Sequence, residues 1–276
     1  NLKSLPRNIS GLKSLSTLNL SGTSKFREFP EITGRMEHLS NLHLEGTAIR
    51  ELPVSIELLS GLVLLNLKDC RNLSTLPITV SSLKCLRTLK LSGCSKIVKF
   101  PESVISMEDL SELFLDRTSI TEECKMLQNL PRLPASIHWI LLNGCVSLEI
   151  LSDVLKLNEH RLPSLSLYCV DCSKLTGNYA LALSLLEEYI KNSEGRWRHF
   201  SIAVPGSEIP EWFEYQNNEG SSITISTPPK TYKNSKLVGY AMCCVFHVPK
   251  YSLPNYTHGF PYPVHELSMK SQPDIL

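Results

Sequence analysis

The strongest constraint on this chain is self-similarity at a period of 23–27 residues. The segment Leu39-Ser-Asn-Leu42-His-Leu44-Glu-Gly-Thr47 matches Leu62-Val-Leu-Leu65-Asn-Leu67-Lys-Asp-Cys70, and the frame recurs over Leu86–Cys94 and Leu110–Thr118. Anchored on the third leucine, the copies fall at Leu20, Leu44, Leu67, Leu91 and Leu115, in steps of 24, 23, 24 and 24. Looser copies follow at Leu142 and Cys169, each 27 residues on. A unit this short cannot bury its own leucines, so each must stack on its neighbours. Such a chain folds as a solenoid.

The frame explains its residues. In each L-x-L core, side chains alternate between faces, so the leucines point inward and the residue between them points out. Successive short strands stack in parallel at about 4.8 Å into a curved sheet. A Cys or Thr three positions after the last strand leucine (Thr23, Thr47, Cys70, Cys94, Thr118, Cys145, Cys172) is small enough to sit inside the turn. There it can bond a backbone group. The return half reads L-x-x-L-P-x-x-I/V, as in Leu73-Ser-Thr-Leu76-Pro77-Ile78-Thr79-Val80. Its prolines, Pro30, Pro53, Pro77 and Pro101, suit a segment that need not donate to a ladder. This is the leucine-rich-repeat pattern L-x-x-L-x-L-x-x-N/C-x-L, and it predicts an α/β leucine-rich-repeat solenoid over residues 1–175.

Past Leu175 the period is lost. Leu181, Leu185, Leu186, Tyr189 and Ile190 have helical spacing, which predicts a capping helix and linker over 176–195 to seal the open end of the core. Phe200–Val204 and Ser222–Ser226 alternate, and Leu237–Val248 is a long apolar run. These segments predict an all-β, antiparallel sandwich domain over 196–276, incomplete in its last strands. The chain opens at Asn1 within a repeat, without a Met or a signal peptide, so an upstream part is expected.

Lys and Arg total 28 against 27 Asp and Glu, a net charge of +1, divided as +2 up to Leu175 and −1 beyond it. That balance argues against a nucleic-acid or anionic-membrane partner. No apolar run approaches the roughly 18 residues of a membrane span. Phosphate-loop, dinucleotide and zinc-protease motifs are all absent from the sequence, so no cofactor, metal or catalytic residue is assigned. Cys169-Val-Asp-Cys172 is formally a C-x-x-C, but Cys169 holds a leucine position and Cys172 a turn position. A zinc site would need a second ligand pair. The adjacent Cys243 and Cys244 read as core fillers, and the cysteines together suit a reducing compartment. Glu208, Glu211 and Glu214 read as solvated loop charges.

The informative surface is the outward column of the sheet: Asn19, His43, Asn66, Lys90, Phe114 and Leu141, flanked by Arg87 and Trp139 among others. Solubility alone would call for short polar residues throughout. Here polar strands give way to Phe114, Trp139 and Leu141, and contiguous apolar exposure marks an interaction surface. The expected partner-binding residues are His43, Asn66, Arg87, Lys90, Phe114, Trp139 and Leu141. The three apolar ones fit two uses, as anchors for a partner or as a packing surface for the β region downstream.

The C-x-x-L-x-x-L-P repeat style resembles that of plant intracellular disease-resistance proteins of the Toll-type, nucleotide-binding, leucine-rich-repeat class. Downstream, Phe200-Ser-Ile-Ala-Val-Pro205-Gly-Ser-Glu-Ile-Pro210-Glu-Trp212-Phe, then Gly220–Ile225 and Leu237–Ala241, are similar to the C-terminal jelly-roll/Ig-like domain of that class. The resemblance implies recognition of a pathogen effector or a guarded host protein, and autoinhibition without it. It also implies contact with a nucleotide-binding domain in a longer receptor, and a cytoplasmic location that extends to the nucleus. NAD⁺ cleavage would belong to a Toll-type domain, of which this chain has no segment. The alternative is the ectodomain of an extracellular leucine-rich-repeat receptor, which predicts occupied sequons such as Asn8, Asn72 and Asn255, and paired cysteines.

Overall fold

Each of the first six repeats contributes three residues of strand, the out-in-out triplet around its middle hydrophobe, and the last two strands have four. The computed structural model describes residues 2–97, 100–117, 132–134, 136–149, 165–175 and 200–203. All of them belong to the first of two compact units of the chain. The strands are β1 (Thr17–Asn19), β2 (Asn41–His43), β3 (Leu64–Asn66), β4 (Thr88–Lys90), β5 (Glu112–Phe114), β6 (Trp139–Leu141), β7 (Leu165–Tyr168) and β8 (Phe200–Ala203). They form one sheet in chain order, and every neighbouring pair is parallel.

The register is that of the repeat. Leu42, Leu65, Leu89, Leu113 and Ile140 stand opposite one another, and all five are fully buried. Leu44, Leu67, Leu91, Leu115, Leu142 and Cys169 form a second buried tier. Together with Leu39, Leu62, Leu86 and Leu110 they build a single continuous core.

The return segments after Pro6, Pro53, Pro77 and Pro101 are 3-10 helices: η1 (Arg7–Gly11), η2 (Val54–Leu58), η3 (Ile78–Ser82) and η4 (Glu102–Ser106). Among the described residues these, with the short η5 (Ser173–Leu175), are the helical elements. The α component of the expected fold class is therefore absent from the described repeats. Its physical reason lies in the proline, whose carbonyl accepts from the residue three on: Ile56 N–H to Pro53 (3.1 Å), Val80 to Pro77 (3.0 Å), Val104 to Pro101 (3.1 Å). One such turn buries Ile56, Val80 or Val104, and the chain must then re-enter the next strand. The observed bonds close over three residues, which is the 3-10 pattern used for short return pieces.

The strand-to-return turn repeats a backbone solution. The residue two beyond the third leucine has positive φ in every described copy: Gly22, Gly46, Asp69, Gly93, Arg117, Gly144 and Asp171. Glycine reaches that region freely; Arg117, at φ 56°, does so at a cost. The next residue is the expected cysteine or threonine. Cys70, Cys94, Cys145 and Cys172 each donate their S–H to the last-leucine carbonyl of the preceding repeat, at 3.1, 3.0, 3.2 and 3.1 Å. The turn cysteines thus tie neighbouring units together, as their size and donor allowed.

One reading of the sequence is corrected. Phe200–Ala203, expected to open a separate antiparallel sandwich, is the eighth parallel strand of the solenoid sheet, with Leu167 opposite Ile202. Its alternating pattern suits either sheet. What decides is the open edge of β7, whose backbone groups need partners: Cys169 N–H finds Ala203 O at 2.8 Å. Thirty-five residues separate Leu167 from Ile202, so a period search at 23–27 passes over this copy. The helix expected over 176–195 and the remaining strands expected after Val204 lie outside the described residues.

Candidate functional site

Because the strands are parallel and in register, one outward residue per strand lines up across the sheet. The row runs Asn19, His43, Asn66, Lys90, Phe114, Leu141, Tyr168 and Ala203. A second row, two residues earlier in each strand, runs Thr17, Asn41, Leu64, Thr88, Glu112, Trp139, Ser166 and Ser201. Five of the seven expected binding residues, His43, Asn66, Lys90, Phe114 and Leu141, stand in the first row. Trp139 stands in the second, and Arg87 immediately precedes β4.

Their environments differ. His43, Lys90, Phe114, Trp139 and Leu141 are half-buried, and Arg87 is exposed. Asn66 is a correction: only 8% of it is exposed. Its Nδ2 donates to Glu45 Oε2 at 3.3 Å and its Oδ1 accepts the Lys68 N–H at 3.0 Å. Both ends of the amide are used inside the fold, so Asn66 orients the Glu45–Lys68 pair (3.3 Å) and has little left for a partner.

At the centre of the face, Lys90 Nζ stands 5.2 Å from the Phe114 ring centroid, a cation–π geometry. Further along, Trp139 packs on Tyr168 with centroids 6.0 Å apart and planes tilted by 43°. Tyr168 was missed from the sequence. Its signal was available, since it lies 27 residues after Leu141, the same step that carries Leu142 to Cys169. The Trp139 indole N–H is buried and has no acceptor among the described residues; an unsatisfied buried donor costs about 1–3 kcal/mol.

The acids on this face are engaged. Thr88 Oγ1 donates to Glu112 Oε2 at 3.0 Å. Ser92 Oγ donates to Asp116, whose carboxyl is pushed above its usual range chiefly by burial. Among the described residues Arg87 and Lys90 form no ion pair, and Glu112, opposite Trp139, adds a carboxylate beside the aromatic cluster. No group of three or more potential metal ligands exists among the described residues. Cys169 and Cys172 are buried in the core, away from this face. The arrangement can bind; it presents no acid, base and nucleophile converging on one point.

A family model described as a leucine-rich repeat region matches residues 31–219, and one for the C-JID domain matches residues 204–272. Among curated proteins of Arabidopsis thaliana, disease resistance protein RPS4B is 32% identical over 86% of this chain and 24% of its own length. Disease resistance-like protein CSA1 is 36% identical over 85% of this chain and 23% of its own. Disease resistance-like protein DSC1 is 47% identical over 91% of this chain and 23% of its own. The chain thus spans about a quarter of the length of these relatives. The resemblance read from the repeat style and the Pro205-Gly-Ser-Glu-Ile-Pro210 string is borne out by both matches. The chain belongs to the leucine-rich-repeat family, with a C-JID match over residues 204–272, and is similar to plant disease-resistance proteins.

Proposed function

We propose that this chain is the recognition and autoinhibition module of an intracellular plant immune receptor of the Toll-type class, acting by protein–protein binding in the cytoplasm and the nucleus. Its ligand is a pathogen effector or a guarded host protein, and its longer context supplies a nucleotide-binding domain that the module restrains. Residues 204–272, matched by the C-JID family, form a jelly-roll domain that shares in recognition. The module performs no chemistry itself.

The observation that carries this reading is the outward sheet face. Half-buried Phe114, Trp139 and Leu141 lie along the sheet from Lys90, whose ammonium stands 5.2 Å from the Phe114 ring centroid and has no ion-pair partner among the described residues. Aromatic and Arg side chains in such a setting are the usual anchors of an interface. The relatives are disease resistance proteins, which does not favour the ectodomain alternative. Cys70, Cys85, Cys94, Cys169 and Cys172 are also free thiols.

The test is a two-hybrid screen of the chain against libraries of pathogen secreted proteins and host proteins, repeated with Phe114→Ala, Trp139→Ala and Val54→Asp. Val54 is 63% exposed on a return segment, away from the sheet. Interactors should be lost with the first two variants and kept with the third, while all three retain cooperative melting. Retention of every interactor by Phe114→Ala and Trp139→Ala would refute the assignment of this face.

A further inference from the structure

Whatever the sheet face binds, we infer that Asn143-Gly144 is a site of spontaneous side-chain deamidation, held off in the closed fold by Val170 of the next repeat and released when the seam between β6 and β7 opens.

The chemistry lies in the dipeptide. Asparagine followed by glycine occurs once in the chain, at Asn143-Gly144. Glycine has no Cβ, so its backbone nitrogen approaches the side chain of the preceding asparagine without hindrance. The Gly144 nitrogen, giving its proton to water, attacks Asn143 Cγ. The new C–N bond closes a succinimide ring, and the side-chain nitrogen leaves as ammonia. Water then opens the ring at either carbonyl, leaving aspartate or isoaspartate at this position.

Both residues serve the fold, and their structural bonds are what block the reaction. Gly144 has φ 71°, as the turn position requires and as Gly22, Gly46 and Gly93 also have positive φ. In each of these turns the glycine N–H donates to the next repeat: Gly22 to Glu45 O at 2.7 Å, and Gly46 to Lys68 O, Gly93 to Asp116 O and Gly144 to Val170 O at 2.8 Å. The residue before the glycine is Ser21, Glu45 or Ser92 in the other three, none of which carries an amide. Asn143 does, and its Oδ1 accepts the Val170 N–H at 2.8 Å. The nucleophile and the group it would attack are therefore both tied to Val170, one to its carbonyl and one to its N–H. Asn143 is also only 5% exposed, which keeps out the water that must take the proton and open the ring.

Withdrawal of one element removes all of this protection at once. Val170 follows β7, which pairs with β6 through Ile140 opposite Leu167, the last pairing but one in the sheet. Repeats are held mainly by their neighbours and open as local units. Isoaspartate carries the backbone through the former side chain and lengthens it just before Cys145, whose S–H bonds Leu115 O at 3.2 Å. The turn cannot then re-form in register, so an opening of this seam is recorded covalently.

The purified full chain, incubated at mildly alkaline pH in buffer and in guanidinium chloride, tests this by peptide mass spectrometry with enzymatic detection of isoaspartate. In denaturant Asn143 should be the first asparagine to convert. In the native protein its conversion should be slower by about a hundredfold or more, the factor set by an opening free energy of about 2.8 kcal/mol. Leu167→Val removes one methylene from a buried seam residue and should raise the native rate about fourfold, with the rate in denaturant unchanged. Leu42→Val, the same deletion in β2, should leave both rates as they are. If Leu167→Val does not fold, hydrogen exchange of the wild-type Gly144 amide reads the same opening, and its protection must match the slowing of deamidation. Equal native and denatured rates, another asparagine converting first in denaturant, equal acceleration by both valine variants, or a mismatch with exchange protection overturns the inference.

Discussion

Gly61 lies where two repeats approach closely, and replacing it with alanine should separate them. A Cβ there would meet the carbonyl of Glu37, 2.6 Å from its carbon and 3.3 Å from the Glu37 Cα, and closer still to the oxygen. Ordinary carbon–carbon contact is about 3.5–4.0 Å, so the backbones must part by about 1 Å. The flanking bonds that hold the units together have little slack: Met36 N–H to Leu58 O is 2.9 Å, and Val63 and Leu64 N–H to Ser40 O are 2.8 and 3.0 Å. Across the same seam Leu39, Leu42, Leu59, Leu62 and Leu65 are buried. A gap of 0.5–1 Å forfeits roughly a quarter to a half of a dispersion well, and overpacking alone costs about 1–3 kcal/mol. With a strained inter-repeat hydrogen bond added, the expected loss is about 3 kcal/mol. Gly11 is the control. Nothing lies within 4 Å of its Cβ position, so Gly11→Ala should be neutral or slightly stabilising. Urea unfolding followed by circular dichroism should show the Gly61→Ala midpoint about 1 M or more below wild type, for slopes of about 1–3 kcal/mol/M. Hydrogen exchange should place the loss at β2 and β3 before β5, because repeats interact mainly with their neighbours. A Gly61→Ala protein within about 0.5 kcal/mol of wild type would refute the close-approach argument.

Two further outcomes follow from buried ionisable groups. Asp116 is held above the usual carboxylate range chiefly by burial, with the Ser92 hydrogen bond opposing. The folded state therefore binds a proton more readily than the unfolded one, and stability is fully present at low pH and declines as pH rises through the folded pKa. Asp116→Asn keeps an acceptor for Ser92 and should raise Tm at pH 7, with the advantage closing below about pH 4; a lower Tm at pH 7 would contradict the burial argument. For the thiols, Cys70 and Cys94 are pushed up chiefly by burial, and Cys169 by its hydrogen bond with Cys172 and then by burial. Iodoacetamide should label exposed Cys85 in the native protein and reach these three only on unfolding. By the same linkage stability should fall as pH rises past the ordinary thiol range near about 8.5, where the unfolded thiols ionise first. Native labelling of Cys94 at the rate of Cys85 would overturn this.

What the sequence determined was whatever depends on residues close together in the chain. In-out alternation at Leu42-His43-Leu44 and the turn donor at Cys70 are local, so the period, the parallel stack and the outward row could all be read from spacing. The resemblance to plant disease-resistance proteins was legible for the same reason, carried by short contiguous strings. What only the tertiary structure decided depends on neighbours a repeat or more away. Asn66 occupies an outward position yet is buried, because Glu45 from the previous unit reaches over to it. Arg117 sits in a left-handed turn conformation that no property of arginine announces; the geometry of the stack imposes it. Phe200–Ala203 carries an alternating pattern that fits any sheet, and the unpaired edge of β7 assigned it to this one. Local chemistry chose the unit; long-range packing chose which of its outward side chains remain free to meet a partner.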